Sequence, residues 1–130
     1  MDLATVNVTT AATQTTTAVT GLGKLFGLTL QVIFTYVASA ATSVKVYVQT
    51  SIDGGNTWYD IACFAHTTAS LARYAAVVGE AQITPVALTD GTLADNTCAH
   101  GLLGDRIRLK VVSVGTYGAG TQVVATYSPR

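Results

Sequence analysis

Four residues carry most of the reactive chemistry in this chain: Cys63 and His66, three apart, and Cys98 and His100, two apart. Cys98 and His100 would supply two metal ligands, but a structural zinc site takes four, usually in paired spacings. The rest would have to come from distant residues. A Cys63–His66 nucleophile pair meets a geometric objection, because residues three apart on a strand point to opposite faces. Ser51, Ser70 and Ser113 have no His and Asp context, and no Gly-x-Ser-x-Gly turn is present. Asp53, Asp90, Asp95 and Asp105 stand beside Gly or Asn, where aspartate closes turns rather than working as a paired acid and base. Gly21-Leu22-Gly23-Lys24 is too short to cradle a phosphate and lacks the Ser or Thr after the lysine. The expectation is a chain that is not an enzyme and holds no cofactor and no metal.

Two segments are sharper. Arg106, Arg108 and Lys110 alternate with Ile107, Leu109 and Val111. One strand would therefore turn three cations outward and three apolar residues inward. Such charges serve as a solvated, aggregation-resisting face or as a docking stripe for acidic groups of a partner. Ser51-Ile52-Asp53-Gly54-Gly55-Asn56-Thr57-Trp58 lies between two strand patterns. Its Asp-Gly and Gly-Asn steps predict a β-hairpin turn, with Trp58 packed beneath it and the indole N–H needing a partner.

The elements that must position these residues read as strands. Val, Thr, Ile, Tyr and Phe are abundant and alternate with period two between Gly-rich breaks. Strands are expected over Leu3–Thr9, Gln14–Thr20, Leu25–Val37, Thr42–Thr50, Trp58–His66, Leu71–Val78, Ala81–Leu88, Asp105–Val114 and Thr121–Tyr127, giving about eight in one domain. Pro85 makes the Ala81–Leu88 strand an edge or irregular one. Within Leu25–Val37, the residues Leu28, Leu30, Val32, Phe34 and Tyr36 share the core face. Val44, Val46 and Val48 share another, with Lys45, Tyr47 and Gln49 opposite. Residues 89–104 show no period. The fold class is all-β, an antiparallel β-sandwich of jelly-roll type. Residues 1–23 read as a Thr-rich arm or edge strands and 24–130 as the sandwich. In the arm reading, Val6 and Val8 add a strand to a neighbouring subunit.

Only seven acidic and seven basic residues occur in 130, so charged residues are 11%, against about 25% in ordinary domains. Threonine (22) and alanine (19) fill the places that charges usually take. With apolar residues at 49%, disorder is excluded. Zero net charge argues against nucleic acid as a partner, and no apolar run is long enough to span a membrane as a helix. The first residues lack the basic and apolar regions of a secretory signal, so Cys63 and Cys98 are expected as reduced thiols rather than a disulfide. Faces covered by Thr, Ala and Gln repel neighbours weakly, which predicts a surface packed against other subunits.

The hairpin matches the S-x-D-x-G-x-T-W pattern, and so resembles the Asp-box of sialidases and other β-propellers, at Ser51, Asp53, Gly55, Thr57 and Trp58. One copy in a chain of this length cannot build a propeller, and that family's arginine triad and nucleophilic tyrosine have no counterparts here. Two longer stretches, Val44–Phe64 (VKVYVQTSIDGGNTWYDIACF) and Asp90–Gln122, with its DGTLADN loop and GDRIRLKV strand, resemble small β-sandwich structural proteins of tailed bacteriophages. The resemblance implies a virion component assembled in the host cytoplasm, foremost a capsid decoration (cement) protein. Its partners would be the major capsid protein or other virion proteins, and it would form a homo-oligomer, a trimer or pentamer on a local symmetry axis. A neck, tail or head-fibre component is the alternative. A carbohydrate-binding sandwich is the second alternative, using aromatics such as Trp58, Tyr47, Tyr59, Tyr74, Tyr117 and Tyr127.

Overall fold

The computed structural model describes residues 1–37, 41–79 and 85–130. Eight strands form: β1 (Asp2–Asn7), β2 (Ala12–Thr15), β3 (Gly27–Thr35), β4 (Ala41–Ser51), β5 (Tyr59–His66), β6 (Leu71–Val78), β7 (Arg106–Gly115) and β8 (Gln122–Pro129). They pair antiparallel in two four-stranded sheets, ordered β1-β8-β3-β6 and β2-β7-β4-β5. Only the β4–β5 hairpin stays within one sheet. Every other connection between consecutive strands crosses to the opposite sheet, as in jelly-roll-like sandwiches. The all-β sandwich read from alternation is the fold.

The core forms where the two inner faces meet. Leu28, Leu30, Val32 and Phe34 of β3 face Val44, Val46 and Val48 of β4 and Ile107, Leu109 and Val111 of β7, all essentially without exposure. Burying each of these side chains stabilises by about 1.5–3 kcal/mol. Phe34 also stacks on His66 at 4.9 Å and meets Tyr117 edge-on at 6.0 Å.

The N-terminal segment does not reach outward. β1 pairs with β8, and Val6 and Val8 are buried in the chain's own core. This corrects the expectation of an inter-subunit arm, since their alternation serves an edge strand of the same sandwich. β2 is shorter than expected and starts earlier. Its pairing with β7 continues irregularly through Thr16 and Val19. Of the strand expected over Ala81–Leu88, residues 81–84 lie outside the described residues. Residues 85–88 form no strand, consistent with the missing N–H of Pro85.

The two sheets differ in how their outer faces are treated. Tyr47 and Gln49, expected on an outward face of β4, are buried. The irregular 89–104 segment lies along β5 and over this side. Asp60 N–H donates to Thr89 O, Cys63 N–H to Thr97 O and Ala99 N–H to Ile61 O. Among the described residues, no segment is laid over the outer face of the β1-β8-β3-β6 sheet, whose side chains are exposed or half-buried. Register places Thr5, Val124, Ile33 and Ala72 in one row, Thr126, Gln31 and Tyr74 in the next, and Ser128, Thr29 and Ala76 in a third. Asp2, at the end of the middle row, is the one charge in these rows.

His66 is 3% exposed, and neither ring nitrogen has a hydrogen-bond partner. Burial, with a contribution from the Arg73 charge, lowers its pKa from 6.5 to about 4. An unfolded chain therefore takes up this proton near pH 6.5, whereas the folded chain resists it down to about 4. Stability should be full above pH 6.5, fall as the pH drops through that window, and level off below it. The total loss is about 3 kcal/mol. Unfolding free energies from urea titrations at pH 7.5 and 4.5 should differ by about 2.5 kcal/mol more in the parent protein than in His66→Phe. Equal differences in both would show that His66 does not carry the effect.

Candidate functional site

The hairpin between β4 and β5 is built by its own side chains. Asp53 Oδ1 accepts from Ser51 Oγ at 2.9 Å and from Thr57 N–H at 2.9 Å, and Oδ2 accepts from the Thr57 hydroxyl. Ser51 Oγ accepts in turn from Gly55 N–H at 2.9 Å. Gly54 and Gly55 take φ of 76° and 93°, conformations open to glycine and strained for other residues. The indole N–H of Trp58 donates to Gly55 O at 3.0 Å. Hydrogen bonds from Thr57 foremost, and from Ser51 and Asn56, hold the Asp53 carboxyl at about 2. The five residues of the motif thus come together as one turn. Their polar atoms bond mainly to one another, so the group holds a loop shape rather than presenting a reactive atom.

Arg106, Arg108 and Lys110 do share one face of β7, and each is engaged within the chain. Arg106 makes a paired contact with Asp105, Nε and Nη2 each at 3.1 Å, and donates from Nη1 to Gly54 O at 3.0 Å. The Arg108 guanidinium lies 4.3 Å from the centre of the Trp58 ring and donates from Nε to Gln49 Oε1 at 3.0 Å. Lys110 pairs with Asp90 at 3.0 Å. A free basic stripe is therefore not what this strand presents. Asp90, Asp95 and Asp105, read from sequence as turn residues, are also ion-pair partners, of Lys110, Lys45 and Arg106 respectively.

The largest polar cluster was not visible in the sequence. Asp60 on β5 is 3% exposed and accepts from five donors. Gln49 Nε2 and Gly91 N–H reach Oδ1, and the Thr89 hydroxyl with the Thr92 and Leu93 N–H groups reach Oδ2. Distances are 2.9–3.2 Å, and Gly91 N–H is shared with Oδ2 at 2.8 Å. Gln49 extends the cluster to Asp90 at 2.6 Å and to Arg108. The carboxylate thus clamps the Thr89–Leu93 loop onto the sheet. The available signal was an acidic residue inside an apolar strand together with Asp90-Gly91, a turn that presents consecutive N–H groups.

The sulfur and imidazole groups stay apart. Ala62 and Cys98 face each other in an antiparallel bridge. Cys63, the next residue, therefore points to the opposite side from Cys98. Both are free thiols, and burial raises the pKa of each, which lowers thiolate content and reactivity. Cys63 faces outward beside Tyr47, while His66 stacks on Phe34 in the core. Among the described residues, no group of three or more His, Cys, Asp or Glu is placed to hold a metal ion. A cavity of about 250 Å³ lies beneath the loop, lined mostly by apolar residues such as Val86, Leu88, Leu93 and Leu102, with Asp60 and His100 at its polar side. Asp60's oxygens already serve the loop clamp. No protein-family model matches the chain, and no match was found among curated proteins or solved structures.

Proposed function

We propose that the protein is a structural component of a tailed-bacteriophage virion, foremost a capsid decoration protein that binds across capsomers. The observation that supports this reading is the outer face of the β1-β8-β3-β6 sheet. Its Thr, Gln, Ser, Ala, Val, Ile and Tyr side chains are exposed or half-buried among the described residues, with a charge only at Asp2. Soluble monomers normally intersperse both signs of charge over such an area. A face that hydrates adequately but repels little suits packing against a protein lattice. The partner in this reading is the major capsid protein or another virion protein. Cement action follows by mass action: a protein that binds the assembled shell and not its free subunits lowers the free energy of the shell. The similarity of the β4–β5 hairpin and the β7 region to small phage sandwiches supports the same reading.

The carbohydrate-binding alternative is weakened by the fate of Trp58, whose ring face is taken by Arg108 and whose N–H is spent on Gly55. The test is mass spectrometry and electron microscopy of the particle whose gene cluster carries this chain. Copies distributed over the head, in number comparable to the shell subunits, are the expected result. A single ring at one vertex would move the protein to the neck or tail, and absence from the particle would overturn the reading.

A further inference from the structure

Each sheet of a sandwich ends in two strands whose outer N–H and C=O groups lack ladder partners, and natural proteins blunt such edges. Three of the four edges here are blunted. β1 has a bulge between Asp2 and Ala4 and a charge at Asp2. β2 is four residues long. β5 is paired along its outer side by the 89–99 segment. β6 is the least protected, its only such device being the inner-side charge of Arg73. It is eight residues long, pairs with β3 without a register break, and contains no Pro, Gly or acidic residue.

Alternation identifies which of its groups are free. Gly27 and Arg130 exchange both backbone bonds, so odd residues of β3 bond toward β8 and even ones toward β6. Their β6 partners are Leu71, Arg73, Ala75 and Val77. Ala72, Tyr74, Ala76 and Val78 therefore turn their backbone groups outward. Val78 is occupied, since its C=O accepts from Gly101 N–H and its N–H donates to His100 Nδ1. No segment among the described residues pairs with the outward groups of Ala72, Tyr74 and Ala76. All three side chains are exposed, Tyr74 by 81%.

We propose that this edge pairs with the same edge of a second copy, antiparallel about a two-fold axis at Tyr74. Each free residue then exchanges two bonds, giving about six across the seam. Tyr74 meets the partner's Tyr74, and Ala72 meets the partner's Ala76. The outer-face residues at the seam are uncharged, and on the inner side Arg73 comes opposite the partner's Ala75, with the partner's Arg73 as its diagonal neighbour at about 7–8 Å. Alanines on either side give the two tyrosines room to pack as a cross-strand aromatic pair. An eight-residue strand spans about 26 Å, and a two-sheet flank about 20 Å thick lets a pair bury at most about 1,000 Å² in total, the lower limit for a specific interface. The dimer is therefore expected to exchange with monomer at micromolar concentrations. It would join two of these sheet faces into one. This inference goes beyond the virion reading and does not rest on it, and its two-fold seam differs from the trimer or pentamer that a local capsid axis implies.

Sedimentation equilibrium from about 5 to about 500 µM brackets that range. A monomer–dimer equilibrium is expected for the parent protein. The double variant Ala72→Lys with Ala76→Lys sets lysines directly opposite one another twice and should weaken association at least about tenfold with an unchanged circular dichroism spectrum. Ala76→Pro removes an outward N–H without touching the β3 ladder, and should weaken association too. In the dimer, the amides of Ala72, Tyr74 and Ala76 should be protected from hydrogen exchange and should lose that protection on dilution. A parent protein that stays monomeric, a trimer or pentamer, a dimer indifferent to both variants, or a dimer in which those amides exchange freely would each overturn the proposal.

Discussion

Asp60→Asn is expected to destabilise the protein almost as much as Asp60→Ala, by about 3–5 kcal/mol, although it preserves shape. Every group that faces the Asp60 carboxylate is a donor: Gln49 Nε2, the Thr89 hydroxyl and the N–H groups of Gly91, Thr92 and Leu93. An asparagine must turn its NH₂ toward one side of this set, and donor then meets donor in a site only 3% exposed. Four of the five donors lie on the Thr89–Leu93 loop and escape to water once it lifts, which limits the loss. The loop then uncovers Gln49, which is wholly buried and tied to Arg108 and Asp90. For a chain of this size the change corresponds to a fall in Tm of about 10–20 °C. Protection of the Gly91, Thr92 and Leu93 amides should disappear first. A Tm within a few degrees of the parent for Asp60→Asn would show that the clamp is not what holds the loop.

That network marks where the sequence stops being readable. Alternation located the inner faces of β3, β4 and β7 because each pairs an apolar face with a polar one, as Leu28 to Phe34 and Ile107 to Val111 do. It failed on β4 and β5, where both faces are buried. Tyr47, Gln49, Asp60 and Cys63 look like an ordinary solvent face until the 89–104 segment is laid over them. That segment has no period to betray its position, because its contacts are backbone bonds and a buried carboxylate rather than a repeating apolar face. The hairpin was legible for the opposite reason. Ser51, Asp53, Gly55, Thr57 and Trp58 bond to one another within eight residues, so sequence proximity already held the geometry. The arm reading of Val6 and Val8 fell between the two cases, since alternation shows that a strand has one buried face but not whose core covers it.

Gly104 was also silent in the sequence, and Gly104→Ala is expected to cost about 2–4 kcal/mol, a fall in Tm of about 7–15 °C. A Cβ built there would lie 1.8 Å from Ser51 O, 2.5 Å from Ser51 C and 3.0 Å from Thr50 Oγ1. The first two are backbone atoms at the end of β4, so no side-chain rotation relieves the overlap. Gly104 N–H also donates to Thr50 Oγ1 at 2.8 Å, and that hydroxyl donates to Arg106 O at 2.9 Å. Pushing the 104 backbone away therefore breaks a relay that ties β4 to the start of β7. It also displaces Ser51, whose Oγ anchors the hairpin through Asp53 and Gly55. Gly23→Ala is the matched control. Nothing lies within 4 Å of the added carbon there, and no positive φ opposes a side chain, so its stability should stay level or rise by a few tenths of a kcal/mol as the unfolded chain loses freedom. Thermal unfolding followed by Trp58 fluorescence reads both the stability and the turn above the indole. Equal midpoints for the two variants would mean that the chain relaxes around position 104 freely, and that close approach of the loop to β4 is not a condition of this fold.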